Sequence, residues 1–263
     1  WGRTSARRIP VLPEKVDIDY LQEEWSYLKT NELPVGIEKS SMAVSYYNFK
    51  DDFVNIVSAQ DMDVCTPFMY GLTEVLIKTE EQPVTVIDPL GSLSTLRNDC
   101  HYAGTQDELE EKIVSLFNNL VYRNNTKKEA LEKGEKAPQF EQMMCVIHSF
   151  SDLIPVLSED ANDKLKVFLE KGDSLNVNII IADSADRLNG MTFEPWFQKQ
   201  VSLSDAIWIG NGITEQYVLK VAKLTNDLYM EIPEDFGYIL TKGKVKLVKL
   251  LSPSVQEAVA AYG

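Results

Sequence analysis

Short apolar runs rich in β-branched residues alternate along this chain with stretches of helical pattern. That alternation constrains the fold more than any other feature. The runs are Phe53–Val57, Val84–Asp88, Met143–His148, Val177–Ala182 and Ala206–Ile209. Unbroken apolar runs of this length belong to strands buried on both faces, as in parallel sheets, whereas a half-exposed strand alternates polar with apolar. Between them lie the helical segments. Pro67–Lys78 is one. Thr105-Gln106-Asp107-Glu108 is a capping box that opens a helix to about Tyr122. Asp163–Lys171 is stopped by Gly172, and Thr214–Leu224 follows Gly210-Asn211-Gly212. Strand, helix, strand in regular order predicts an α/β chain, with a mostly parallel sheet and helices on both faces.

The flanks differ in character. Residues 1–16 read as an extended N-terminal linker, with Pro10 and Pro13 and the cations Arg3, Arg7 and Arg8. Asp17 caps a helix to about Leu28 that puts Leu21, Trp25 and Leu28 on one face. Leu33–Glu38 and Ala43–Asn48 are short strands. Phe236–Thr241 and Val245–Leu250 form a C-terminal β-hairpin across Lys242-Gly243-Lys244. Residues 17–263 are expected to form one domain, with Glu129–Pro138 as an exposed insertion. The first residue is Trp rather than Met, so the chain reads as a piece of something longer, and a membrane anchor would lie outside it. No apolar run in the chain has the length of a membrane span.

Charge excludes some partners. The 263 residues carry a formal net charge of -14. Nucleic-acid and anionic-membrane binding are driven by Lys and Arg, so neither is expected. The three cysteines, Cys65, Cys100 and Cys145, are widely spaced, which fits a reduced compartment. With only His101 and His148, no metal-ligand spacing and no Ser/His/Asp set stands out.

The segment Val54–Thr66 has the frame of a phosphate-binding P-loop: an apolar strand, a polar loop, then a helix. It lacks the chemistry. A working loop needs glycines that let the backbone curl round phosphate, a Lys for the terminal phosphates and a Ser or Thr for magnesium. Only Thr66 survives. Asp61 and Asp63 stand at the helix N-terminus, where they would repel a phosphate and could instead satisfy the helix end. A second strand should end in an acidic pair that holds magnesium and activates water. Met143–Ile147 supplies the strand, but His148-Ser149 follows it. A neutral imidazole is a poor magnesium ligand and a serine a poor base at pH 7. On spacing alone, a plain core strand explains Met143–His148 equally well. After Val177–Ala182 come Asp183-Ser184, most simply the cap of a helix over 185–190. Gly210-Asn211-Gly212 reads as a tight turn rather than a phosphate cradle. Trp196 and Phe197, beside Pro195 on a loop, are the first candidates for a protein-binding pocket, although core packing explains most large apolar groups.

Taken together these residues resemble a family. The order runs from Leu33-Pro34-Val35-Gly36-Ile37 through the loop at 58–66 and the strands at Val84, Met143 and Asn178, and closes on Phe236-Gly237-Tyr238-Ile239. It looks like an ATPase module of the FtsK/SpoIIIE class, a P-loop NTPase (RecA/FtsK-like) fold. It is most like the C-terminal module of EssC/EccC, the membrane-bound motor of bacterial type VII secretion. The likeness covers roughly residues 9–251. Carried over by position, the remnant nucleotide site is Ser58 and Asp63 for the loop glycines, Val64 or Cys65 for the lysine, Thr66, His148 and Ser149 for the acidic pair, and Ser184 for a sensor Gln. The resemblance implies tandem sister modules, other secretion-machine components, and docking of secreted WxG-class substrates by the last module. It also implies a cytoplasmic domain that meets the membrane only through its parent protein. No cofactor is expected: ATP with magnesium is conceivable, but hydrolysis is not anticipated. Two other readings stand beside this one. The first is an active module completed by an arginine such as Arg97, Arg123 or Arg187. The second is a purely architectural assembly module.

Overall fold

In the computed structural model, which describes residues 11–22, 32–80 and 83–254, the apolar runs become neighbours in one ten-stranded sheet. In chain order the elements are α1 (Ile18–Gln22), β1 (Leu33–Glu38), β2 (Val44–Tyr47), β3 (Val54–Ala59), α2 (Met62–Thr79), β4 (Thr85–Ile87), β5 (His101–Ala103), α3 (Gln106–Glu132), β6 (Met143–His148), α4 (Phe150–Leu153), α5 (Glu159–Lys171), β7 (Val177–Ser184), α6 (Ala185–Met191), α7 (Pro195–Gln200), β8 (Val201–Ile209), β9 (Phe236–Thr241) and β10 (Lys244–Leu250). The strand order is β2-β1-β10-β9-β8-β3-β7-β6-β4-β5. From β8 to β5 every pairing is parallel, and from β8 to β2 every pairing is antiparallel. The predicted α/β class, the mostly parallel sheet and the closing hairpin are all present. Lys242 and Gly243 turn that hairpin with φ of 51° and 72°, the double left-handed geometry that matches strand twist.

Alternate residues of the central strands feed two separate cores. Ile56, Cys145, Ile147, Ile179, Ile181 and Trp208 pack with α3, α5 and α7 on one face. Val57, Val146, Ile180, Ala182 and Ile207 pack with α1 and α2 on the other. Ile179, Ile180 and Ile181 are all fully buried. Each such side chain contributes roughly 1.5–3 kcal/mol of transfer free energy, which is why the sheet centre needs no polar alternation.

Several expectations are corrected. Helix α1 is described only to Gln22, and Trp25 and Leu28 lie outside the described residues. Of the expected linker, residues 1–10 also lie outside them. Its end, Val16, is buried and accepts from the Ser252 amide. The capping box at Thr105 forms with both reciprocal bonds, but α3 continues to Glu132, through the start of the expected insertion. The short strand β5 was not anticipated, because three residues carry too little periodicity to register. No helix forms over 214–224. There the Gln216 side chain accepts from the Val218 and Leu219 amides, and the Lys220 and Ala222 amides donate to Leu203 and Gly243. The backbone donors a helix would use are spent on β8, the hairpin turn and a side chain instead.

Candidate functional site

The carboxyl ends of β3, β4, β6 and β7 meet where ligands of open parallel sheets bind. β3 runs to Ala59 and α2 begins at Met62, so only Gln60 and Asp61 connect them. The sequence suggested a loop over 58–66 with the helix starting at Pro67, a residue favoured in a first helical turn. The extra turn forms because it can bury: Cys65 is fully enclosed. Asp61 is the N-cap but makes no side-chain capping bond, and both Asp61 and Asp63 are exposed. Their carboxylates therefore act on the helix end only through charge, not through the capping bond the sequence suggested.

The space over α2 is closed by side chains. Thr66 Oγ1 lies 3.0 Å from the Met62 carbonyl and 3.1 Å from His148 Nε2. A hydroxyl has one proton, so when it goes to the carbonyl the imidazole must supply the proton of the second contact. His148 Nδ1 lies 3.3 Å from Ser149 Oγ and 3.5 Å from Asp88 Oδ1. The latter is an electrostatic contact rather than a well-formed hydrogen bond. Asp88 Oδ2 accepts from the Leu93 amide at 2.6 Å and from the Tyr102 hydroxyl at 2.9 Å. Burial pushes the Asp88 carboxyl up, but His148 and the two donors outweigh it and hold it below its ordinary value. Tyr102 is pushed up by burial and by Asp88. Neither Asp88 nor Tyr102 was singled out from sequence. An Asp directly after a buried strand was the one available signal.

The Asp88–His148–Thr66 array has the atom types of a hydrolytic triad, but it is not arranged for attack. His148 is 1% exposed, and the Thr66 hydroxyl is held by its own helix carbonyl. It works as a tether joining β4, β6 and α2.

A second cluster sits at the ends of β3 and β7. Ser58 Oγ donates to the Asp183 carbonyl at 2.9 Å. The fully buried Asp183 carboxylate accepts from the Ser151 amide at 2.6 Å and the Ser184 amide at 2.8 Å. Asp183 thus reaches the first turn of α4, while Ser184 is the N-cap of α6 without a side-chain bond. Burial, and then Asp183, raise the Cys65 thiol above its ordinary value. Of the residues carried over from the resemblance, Thr66 and Ser149 each touch His148, and Ser58 and Ser184 meet through Asp183. Asp63 joins neither group.

The three arginines considered as completing groups are engaged. Arg97 pairs with Glu108 at 2.5 Å. Arg187 pairs with Asp152 and approaches Asp183 at 3.9 Å. Arg123 Nη1 donates to the carbonyls of Glu141, Leu175 and Asn176. Gly210 and Gly212, at φ of 71° and 84°, make the tight turn expected. The Gln60 side chain packs against Gly212 and donates to Glu215 at 3.0 Å.

Trp196 and Phe197 are placed differently from the loop position suggested. Both lie on α7, 3% and 1% exposed, and Trp196 packs against Phe150 at 5.4 Å between ring centres. They serve the core and offer no surface. The exposed large groups of this region are Phe193, Tyr217, Leu224, Tyr229 and Met230. Tyr229 and Met230 line a cavity of about 290 Å³ with Gln60, Asn211 and Glu215, next to the shortened β3–α2 connection.

Sheet order and site position together define a P-loop NTPase fold. No family model and no curated protein matches the sequence. Solved structures do. The chain is similar to the cytoplasmic domain of EssC (TM-score 0.78, 17% identity, covering 94% of this chain and 49% of that one). It is also similar to ATPases 2 and 3 of EssC from Geobacillus thermodenitrificans (TM-score 0.74, 17% identity, 94% and 46%). A third is ATPases 2 and 3 of Thermomonospora curvata EccC, solved in complex with a signal sequence peptide (TM-score 0.69, 15% identity, 97% and 46%). The chain spans about half the length of these structures. At these identities the likeness is one of fold: this chain folds as EssC/EccC ATPase domains do. Among the described residues no helix is long and apolar enough to cross a membrane.

Proposed function

We propose that this chain is a non-hydrolysing module of a type VII secretion motor, working on the cytoplasmic side in recognition of secreted substrates or in regulation of export. The observation that carries the reading is the two-residue connection between β3 and α2. A phosphate loop of the usual pattern spans about eight residues and turns several amides towards one point. Gln60 and Asp61 cannot enclose a triphosphate, no lysine stands beside them, and Asp61, Asp63 and Asp183 oppose one. The position a magnesium-binding acid would take holds His148, already committed to Thr66. ATP and magnesium do not fit this site.

The fold without its phosphate site leaves protein recognition and assembly as the available work. The structure of T. curvata EccC with a signal sequence peptide supports recognition. The likeness to two-module structures supports a place beside sister modules. WxG-class secreted proteins are the proposed substrates. Exposed Tyr217, Tyr229 and Met230 are the apolar groups available to meet them, in place of Trp196 and Phe197. Calorimetry with magnesium-ATP and with a panel of substrate C-terminal peptides tests the reading. It expects no nucleotide binding and saturable binding of at least one peptide, weakened by Tyr229→Ala. Turnover of ATP that is abolished by Thr66→Ala would overturn it.

A further inference from the structure

At the opposite end of the sheet, where β4 and β6 begin, α3 overhangs the short edge strand β5. His101 pairs with Thr85, and Thr85 with Cys145, so these side chains share the face that α3 covers. Because β5 has only three residues, the sheet runs out beneath the helix. The result is a cavity of about 260 Å³ lined by Thr85, His101, Lys112, Ser115, Asn119 and Arg123, among others. One water takes up roughly 30 Å³ of liquid, so the space admits a small molecule.

The cavity is locally basic. The chain carries a net charge of -14, yet two permanent cations and an imidazole face this cavity, against one acid, Glu141. Neither Lys112 nor Arg123 forms an ion pair among the described residues. Arg123 is buried and fixed by three carbonyls, which orient its guanidinium, and the Glu141 carboxylate acts on its charge from the same wall. Lys112 is half-buried, and its charge acts on the thiols of Cys100 and Cys145. Asn119 Oδ1 is buried and has no hydrogen-bond partner. A buried, unpartnered amide oxygen, and two cations that share a single carboxylate, are each unfavourable alone. One ligand relieves both: an anion whose oxygens meet the cations and which also carries an O–H for the amide.

We infer that this cavity binds a small phosphate, either inorganic phosphate or a phosphomonoester. The phosphate oxygens accept from Lys112, Arg123 and the Ser115 hydroxyl. A P–OH or an alcohol of the ester donates to Asn119. The site lies at the amino ends of the strands and shares no residue with the Thr66–His148 region, so it stands or falls apart from the proposed function.

Titration calorimetry of the full chain at low salt tests it, with inorganic phosphate in one arm and glycerol 3-phosphate in the other. Saturable one-site binding is expected. Lys112→Gln should weaken it about tenfold, the effect of losing one charge-assisted hydrogen bond. Lys112→Arg should retain most of it, and Lys166→Gln, an exposed control on α5, should leave it unchanged. Tighter binding in one arm identifies the free ion or the ester as the ligand, and both support the site. Absence of saturable binding in both arms overturns it. So does an equal loss in Lys112→Gln and Lys166→Gln.

Discussion

Thr66 Oγ1 lies 3.1 Å from His148 Nε2, and this contact ties the first turns of α2 to the carboxyl end of β6. The two residues stand where a P-loop and its acidic partner strand would supply magnesium and water chemistry. Here they satisfy each other. The contact extends through His148 to Asp88 and through Asp88 to Tyr102, so four elements share one polar chain.

Removing the middle of that chain should be costly. His148→Leu leaves the fully buried Asp88 carboxylate without its ring partner and Thr66 without a second contact. An expected loss of about 1–3 kcal/mol follows from exposing such groups to an apolar site. Urea denaturation measures it. Thr66→Val should cost less, and the double variant should show coupling, since the residues are in contact.

Acid should act through Asp88. Its carboxyl is held below its ordinary value in the folded chain. The stability it contributes is therefore complete above the unfolded value of 3.8 and drains away as pH falls through the lower folded value. Denaturation midpoints of the wild type should decline below about pH 4 more steeply than those of Asp88→Asn. Parallel acid limbs for the two proteins would remove Asp88 from the account.

Gly36, in the Leu-Pro-Val-Gly-Ile stretch, has a structural reason to be glycine. Its φ is +153°, and a Cβ there would sit 2.1 Å from the Lys249 carbonyl oxygen in β10. Gly36→Ala should lose about 2 kcal/mol or more, because backbone rather than a mobile side chain is in the way. Thermal unfolding with circular dichroism reads the shift.

Trp196 and Phe193 separate core from surface within four residues. Trp196→Ala should destabilise by about 3–5 kcal/mol, as an emptied aromatic site does. Phe193, 85% exposed, should change stability by less than about 0.5 kcal/mol when replaced by Ala. Equal effects would contradict the placement of α7 against Phe150.

The sheet and most of its helices were legible because their signals are local and periodic. The β6 run Met143–His148, the Thr105 capping box and the Phe236–Leu250 hairpin announce themselves through apolar continuity, cap chemistry and turn residues. The missing glycines and lysine of the phosphate loop were equally plain. Signals that needed a partner distant in sequence were not legible. Helix α2 starts a turn before Pro67 because the sheet offers Cys65 a place to bury. Residues 214–224 gave up their helix because Leu203 and Gly243 take their amides. Trp196 and Phe197 could not be told from a docking surface until α5 and Phe150 closed over α7.

The α/β class and the absence of phosphate-binding residues can be read along the chain, since strand period, helix caps and residue chemistry reside in short stretches of it. What fills the gap emerges only when the sheet assembles. The partnership of Thr66 with His148 and Asp88 joins residues that lie far apart along the chain, and the cavity beside Lys112 and Arg123 of α3 opens only where β4, β5 and β6 come to lie beneath that helix. Burial sets the strength of each such contact, and burial is a property of the assembled sheet.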